Sequence, residues 1–219
     1  MQEHHLKVER TARVYTLGEF NASTKQIWIV LHGYGQLASF FIKKFEGIAA
    51  DDAFIIAPEA ISRFYVKPYS RVGASWMTFD ERKSEIEEYL AYLNSVYDRF
   101  LGDHDLSNVT VNLLGFSQGC VTACRWFETG VLKCDRLVLC AGYFNKGLAD
   151  VMTVSKLDDV ETYYIYGTKD EFLIENPVEA TAFRVLIQTE VPHLKIISFE
   201  GNHTVSVPII EGIARGLKP

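Results

Sequence analysis

The sequence lacks any apolar run of membrane-spanning length. Its longest strongly apolar stretches, such as Ile27 to Leu31, are strand-sized, whereas a spanning helix needs about 20 apolar residues. Stable membrane insertion is therefore not expected. An excess of positive charge is missing too: 22 Lys and Arg face 28 Asp and Glu, a formal net charge of -6. Phosphate-rich partners select a basic face, so neither a nucleic acid nor an anionic bilayer is expected as partner. The amino-terminal residues MQEHHLKVER contain no apolar h-region and no cleavage signal, so no secretory peptide is read there and a cytoplasmic location is expected.

Cysteine is sparse. Cys120, Cys124, Cys134 and Cys140 lie in or near apolar segments, and no second Cys/His pair completes a four-ligand metal set. They read as buried free thiols in a reducing compartment, with no metal and no other cofactor. No repeat, low-complexity segment or Pro/Gly/Ser linker divides the chain. One domain over residues 1–219 is expected, with residues 1–10 as a flexible tail.

What the sequence does contain is an alternation of buried strands and amphipathic helices. Strands are expected at Ile27–Leu31, Ala53–Ala57, Val109–Leu114, Arg136–Ala141, Thr162–Tyr166 and Lys195–Phe199. Between or after them, helical spacing runs over Phe40–Ala50, Glu81–Phe100, Cys120–Glu128, Pro177–Thr189 and Val207–Leu217. This order predicts a mostly parallel central sheet with helices on both faces, joined by right-handed crossovers. Residues Glu59–Asp80 break the rhythm. They are rich in aromatics (Phe64, Tyr65, Tyr69, Trp76, Phe79) and read as an excursion containing a short strand pair. Trp76 and Met77 are its expected substrate contacts, although covering the core would explain the aromatics equally well.

In such sheets ligands bind beyond the carboxyl ends of the strands, and four turns there carry reactive residues. Gly115-Phe116-Ser117-Gln118-Gly119 matches G-x-S-x-G between a strand and a helix, the context in which a sharp turn exposes a nucleophilic serine. Among six histidines, His203 stands just past the last strand, where this chain order places the general base. His4 and His5 lie in the tail, His104 in a charged loop, and His193 at the opposite end of the last strand. His32, in the turn after the first buried strand, is expected to line the pocket. Asp170 follows strand Thr162–Tyr166 and is the expected acid, with Glu171 and Glu175 as nearby competitors. The oxyanion donors are expected to be the backbone N–H groups of Gln118 and of the His32-Gly33-Tyr34-Gly35 loop, with Tyr34 preferred.

Taken together, Leu31-His32-Gly33-Tyr34-Gly35, Gly115-Phe116-Ser117-Gln118-Gly119, Gly167-Thr168-Lys169-Asp170 and Gly201-Asn202-His203-Thr204-Val205 resemble the phospholipase/carboxylesterase family of α/β-hydrolases, which includes acyl-protein thioesterases. The resemblance spans Ile27 to the closing helix. It implies the α/β-hydrolase fold without a large cap domain, oxyanion donors at Tyr34 and Gln118, and hydrolysis of carboxylic or thioester bonds. The chain departs from the family at Ser75-Trp76-Met77-Thr78, where Trp-Phe-Asp is usual, at Tyr34, where many members carry Leu, and after Asp170, where Glu171-Phe172-Leu173-Ile174 replaces a short polar run. These positions are where substrate is read, and Phe172 joins His32, Trp76 and Met77 as an expected contact.

The expected partner is a small-molecule ester of short to medium acyl chain, and a homodimer is left open. The alternatives are a lysophospholipase or acyl-protein thioesterase, a same-triad acyltransferase or peptidase, and a non-catalytic binding module.

Overall fold

The computed structural model describes residues 1–50, 52–67 and 70–217; Tyr69 lies outside the described residues. The elements are β1 (Val14–Leu17), β2 (Gln26–Leu31), α1 (Ala38–Phe41), α2 (Glu46–Ala49), β3 (Ala53–Pro58), β4 (Ser62–Val66), β5 (Arg71–Ser75), α3 (Arg82–Leu101), β6 (Thr110–Phe116), α4 (Gln118–Glu128), β7 (Arg136–Cys140), β8 (Glu161–Gly167), α5 (Glu171–Glu175), α6 (Pro177–Glu190), β9 (Lys195–Phe199) and α7 (Val207–Ala214).

Seven strands form the central sheet in the order β1-β3-β2-β6-β7-β8-β9, parallel except for β1, which pairs antiparallel with β3. Every second side chain of a strand points to the same face. Ile27, Ile29 and Leu31 of β2 accordingly enter one core, and Trp28 and Val30 the other. The first core is covered by α3, α4 and α6 through Leu93, Trp126 and Phe183, and the second by α1, α2 and α7 through Phe41, Ile48 and Ile210. This is the α/β-hydrolase architecture, and among the described residues no cap domain interrupts it. Burying each large side chain contributes about 1.5–3 kcal/mol, so the two cores hold the strand ends that carry the site in fixed register. Among the described residues no helix is long and apolar enough to cross a membrane.

Three differences from the sequence reading have physical causes. Strand β1 was not expected, because Val-Tyr-Thr-Leu is four residues long and only half-buried at the sheet edge. The helix expected over Phe40–Ala50 is broken by a 3-10 turn at Ile42–Phe45, which buries Ile42, Phe45 and Phe41 together against β3 and β2. The closing helix stops at Ala214, followed by Gly216 in the left-handed conformation. The expected strand pair in the excursion is the antiparallel hairpin β4–β5, with Ser62 opposite Ser75.

Candidate active site

Ser117 sits between β6 and α4 with φ 52° and ψ -118°. A residue with a Cβ rarely adopts this conformation, and it persists only where its surroundings enforce it. Here the Ser117 N–H donates to the Cys140 carbonyl at 2.9 Å. The flanking glycines are required. A Cβ on Gly115 would collide with the Gly119 carbonyl, and one on Gly119 with the Leu31 carbonyl. The turn thereby lifts Oγ clear of the sheet.

Two further turns close on this hydroxyl. The turn after β8 is stitched to the turn after β9: Thr168 N–H donates to the Phe199 carbonyl and Lys169 N–H to the Gly201 carbonyl, both at 2.8 Å. Asp170 is 2% exposed. Its Oδ1 caps α5 by accepting from Phe172 N–H at 3.1 Å, and its Oδ2 lies 2.6 Å from His203 Nδ1. Since an ionised carboxylate only accepts, Nδ1 carries the proton, and Nε2 is left to accept from the Ser117 hydroxyl at 2.9 Å. The imidazole is held between the rings of Phe116 and Phe172, with centroids 5.0 and 5.1 Å away. Serine, histidine and aspartate therefore form one hydrogen-bonded row; Asp170, rather than Glu171 or Glu175 on α5, is the carboxylate that meets His203.

The proposed oxyanion donors lie across the row. Gln118 is the first residue of α4, so its N–H has no intrahelical partner. Tyr34 N–H donates to no protein group among the described residues. The loop that carries Tyr34 is held from several sides. Gly35 N–H donates to the Ala74 carbonyl, Ala74 N–H to the Gln36 carbonyl, and Gly33 N–H to Gln36 Oε1 at 3.0 Å.

Two expected substrate contacts are corrected by their burial. His32 is fully buried. Its Nε2 accepts from Ala60 N–H at 3.1 Å, and its Nδ1 donates to the Gly33 carbonyl at 2.8 Å. Burial lowers its pKa and keeps it neutral, outweighing the Gly33 hydrogen bond and nearby Glu59. Trp76 is also buried, and its Nε1 donates to the His32 carbonyl at 2.8 Å. Neither faces the cavity; both support the turn that carries Tyr34. Met77 and Phe172 do line open space.

The sequence reading missed the side-chain work of Gln118. Its Oε1 accepts from Trp76 N–H at 3.0 Å, and its Nε2 donates to the Met77 carbonyl at 2.8 Å, so the residue after the nucleophile grips the segment after β5. A polar residue in the elbow was the only signal available for this. The four thiols are free, and three are fully buried. Burial pushes Cys124 up to about 12, and the others upward as well, which keeps them protonated.

Two cavities meet at Gln118, Val121 and Tyr143. A small one, about 170 Å³, adjoins Ser117 and His203 and is walled by Ala141, Phe172 and Leu173. A larger groove, about 700 Å³, runs between α4 and the residues after β5 and β7, past Met77, Phe79, Phe144 and Val151.

A profile of the family described as Phospholipase/Carboxylesterase matches residues 19–213. No curated protein matches the sequence significantly. Among solved structures, the fold is similar to that of Zea mays acyl-protein thioesterase 2 (TM-score 0.68, 13% identity, 94% of this chain and 97% of that one). It is also similar to a Paleococcus ferrophilus monoacylglycerol lipase (TM-score 0.62, 12% identity, 94% and 98%) and to the esterase PE8 (TM-score 0.61, 19% identity, 95% and 100%). At these identities the likeness is one of fold.

Proposed function

Because the chain belongs to the phospholipase/carboxylesterase family of α/β-hydrolases, we propose that it is a serine carboxylesterase, cleaving carboxylic or thio esters of small to medium acyl chains through an acyl-enzyme on Ser117. The observation that carries this reading is the row of two contacts on one imidazole, 2.9 Å to Ser117 Oγ and 2.6 Å to Asp170 Oδ2.

In this reading His203 Nε2 takes the Ser117 proton as Oγ attacks the ester carbonyl. Asp170 stabilises the resulting imidazolium and fixes its tautomer. The tetrahedral oxyanion is held by the N–H groups of Tyr34 and Gln118, each such donor contributing about 2.7–4 kcal/mol to the transition state. His203 then hands the proton to the leaving oxygen or sulfur, leaving the acyl group on Ser117. Water, deprotonated by the same imidazole, attacks the acyl carbon and regenerates the hydroxyl. The proton transfer requires the leaving group to lie on the His203 side, where the smaller cavity opens beside Phe172 and Leu173.

The test is turnover of p-nitrophenyl esters of graded chain length beside an acyl thioester. Hydrolysis that favours short or medium chains and vanishes in Ser117→Ala supports the reading. Hydrolysis that persists undiminished in Ser117→Ala removes it. A competing alcohol, followed by product analysis, separates hydrolysis from acyl transfer.

A further inference from the structure

Helix α4 presents Gln118, Val121, Thr122 and Arg125 to the larger groove, a spacing that puts all four on one helical face. At 1.5 Å per residue the face runs about 10 Å from Gln118 to Arg125. Helical side chains lean toward the amino-terminal end, so the guanidinium tilts back toward the nucleophile. Met77 spans what remains: its carbonyl accepts from Gln118 Nε2 at 2.8 Å and its Sδ from Arg125 Nη1 at 3.0 Å.

Arg125 is half-buried and carries a permanent charge. Its hydrogen-bond partners are a thioether and the Tyr89 hydroxyl at 3.3 Å, and no carboxylate of the described residues pairs with it. A half-buried charge without a counter-ion is costly. The groove beside it has apolar walls at Met77, Phe79, Phe144 and Val151, interrupted by the uncharged polar residues Thr78, Gln118, Thr122 and Asn145. Its rim adds Arg82 and Lys146 against one acid, Asp150, in a chain whose net charge is -6. The local charge is thus opposite in sign to that of the whole.

We propose that this groove binds the acyl part of the substrate and that Arg125 receives a carboxylate at the far end of that acyl chain, making the preferred substrates half-esters or half-thioesters of dicarboxylic acids. The proposal rests on the serine-esterase reading. That reading puts the leaving group beside His203, so the acyl group takes the opposite side of the carbonyl, where the groove begins at Tyr34 and Gln118. The methylene chain lies on the apolar walls, and the carboxylate supplies the counter-ion that Arg125 lacks.

The experiment compares kcat/KM for mono-p-nitrophenyl suberate and p-nitrophenyl octanoate, which differ in the terminal carboxylate. The wild-type ratio is expected to favour suberate by roughly ten- to hundredfold, the range of a hydrogen bond to a charged group. Arg125→Met, which keeps an apolar stem of similar length, brings the ratio toward one, and Arg125→Lys retains part of it. Each ratio is taken within one preparation, so partial misfolding cancels. A wild-type ratio near one, or a preference that survives Arg125→Met, overturns the proposal while octanoate turnover leaves the esterase reading standing. If neither ester is cleaved and Ser117 takes no active-site label, the esterase reading falls and this proposal with it.

Discussion

The turns after β6, β8 and β9 and the excursion from Glu59 to Asp80 both reach the same edge of the sheet, and they serve it in opposite ways. The three turns deliver side chains: the imidazole lies 2.9 Å from Oγ on one side and 2.6 Å from the carboxylate on the other. The excursion delivers a scaffold. Its Trp76 ring and the Ala74 backbone point inward to hold the loop carrying Tyr34, and Ser75 and Met77 engage the Gln118 side chain. The first region supplies the reacting groups, the buried Asp170 among them, and the second supplies buried contacts that position the loop carrying Tyr34. A substitution in the first region should therefore act on rate, and one in the second on stability or on the placement of donors.

Asp170→Asn should have the largest effect that leaves the nucleophile in place. With the carboxylate gone, the imidazole loses its enforced tautomer, and kcat should fall by about 10⁴-fold while the fold is retained. Steady-state kinetics beside a urea titration checks this; a fall in stability matching the fall in rate would blur the contrast between the two regions. In the scaffold, Trp76→Phe removes the donor to the His32 carbonyl and leaves a buried acceptor unmet. A loss of about 1–3 kcal/mol is expected in the urea midpoint, with kcat per folded molecule changed far less than in Asp170→Asn.

His32 sharpens the same point through pH. Its folded pKa is lowered, chiefly by burial, so on acidification the unfolded chain binds a proton before the folded one does. Stability should fall as pH drops below the unfolded histidine pKa of about 6.5 and continue to fall until the buried ring itself titrates. Urea midpoints taken at neutral and mildly acidic pH should show a shallower loss in His32→Asn than in the parent chain. The smallest effect is expected at Tyr34→Leu. In the proposed mechanism Tyr34 contributes only a backbone N–H, and its ring is largely exposed against Phe64. A change in kcat/KM below about threefold is expected, since the donor itself survives; a hundredfold loss would mean that the ring takes part in the chemistry.

The difference between the regions also explains what was legible beforehand. The strand–turn–helix context of Ser117, and the positions of Asp170 and His203 past their strands, could be read because short turns with fixed backbone demands leave glycine and polar residues at set spacings. The sheet could be read for the same reason, through the near-continuous apolar runs of its interior strands. His32 and Trp76 could not. A polar residue in a turn looks the same whether it faces the cavity or turns back to satisfy the backbone, and only the positions of the Ala60 N–H and the His32 carbonyl decide between the two. Arg125 was hidden by its helix: its lack of a counter-ion is a fact about space, invisible in a run of Cys-Arg-Trp.

The central claim is that Ser117 is the nucleophile activated by His203, and its most direct test is covalent. After treatment of the native chain with a fluorophosphonate, intact mass and peptide mapping should show one adduct, on Ser117, abolished in Ser117→Ala and greatly slowed in His203→Ala. An unlabelled native chain, or an adduct that maps elsewhere and persists in Ser117→Ala, would contradict the account.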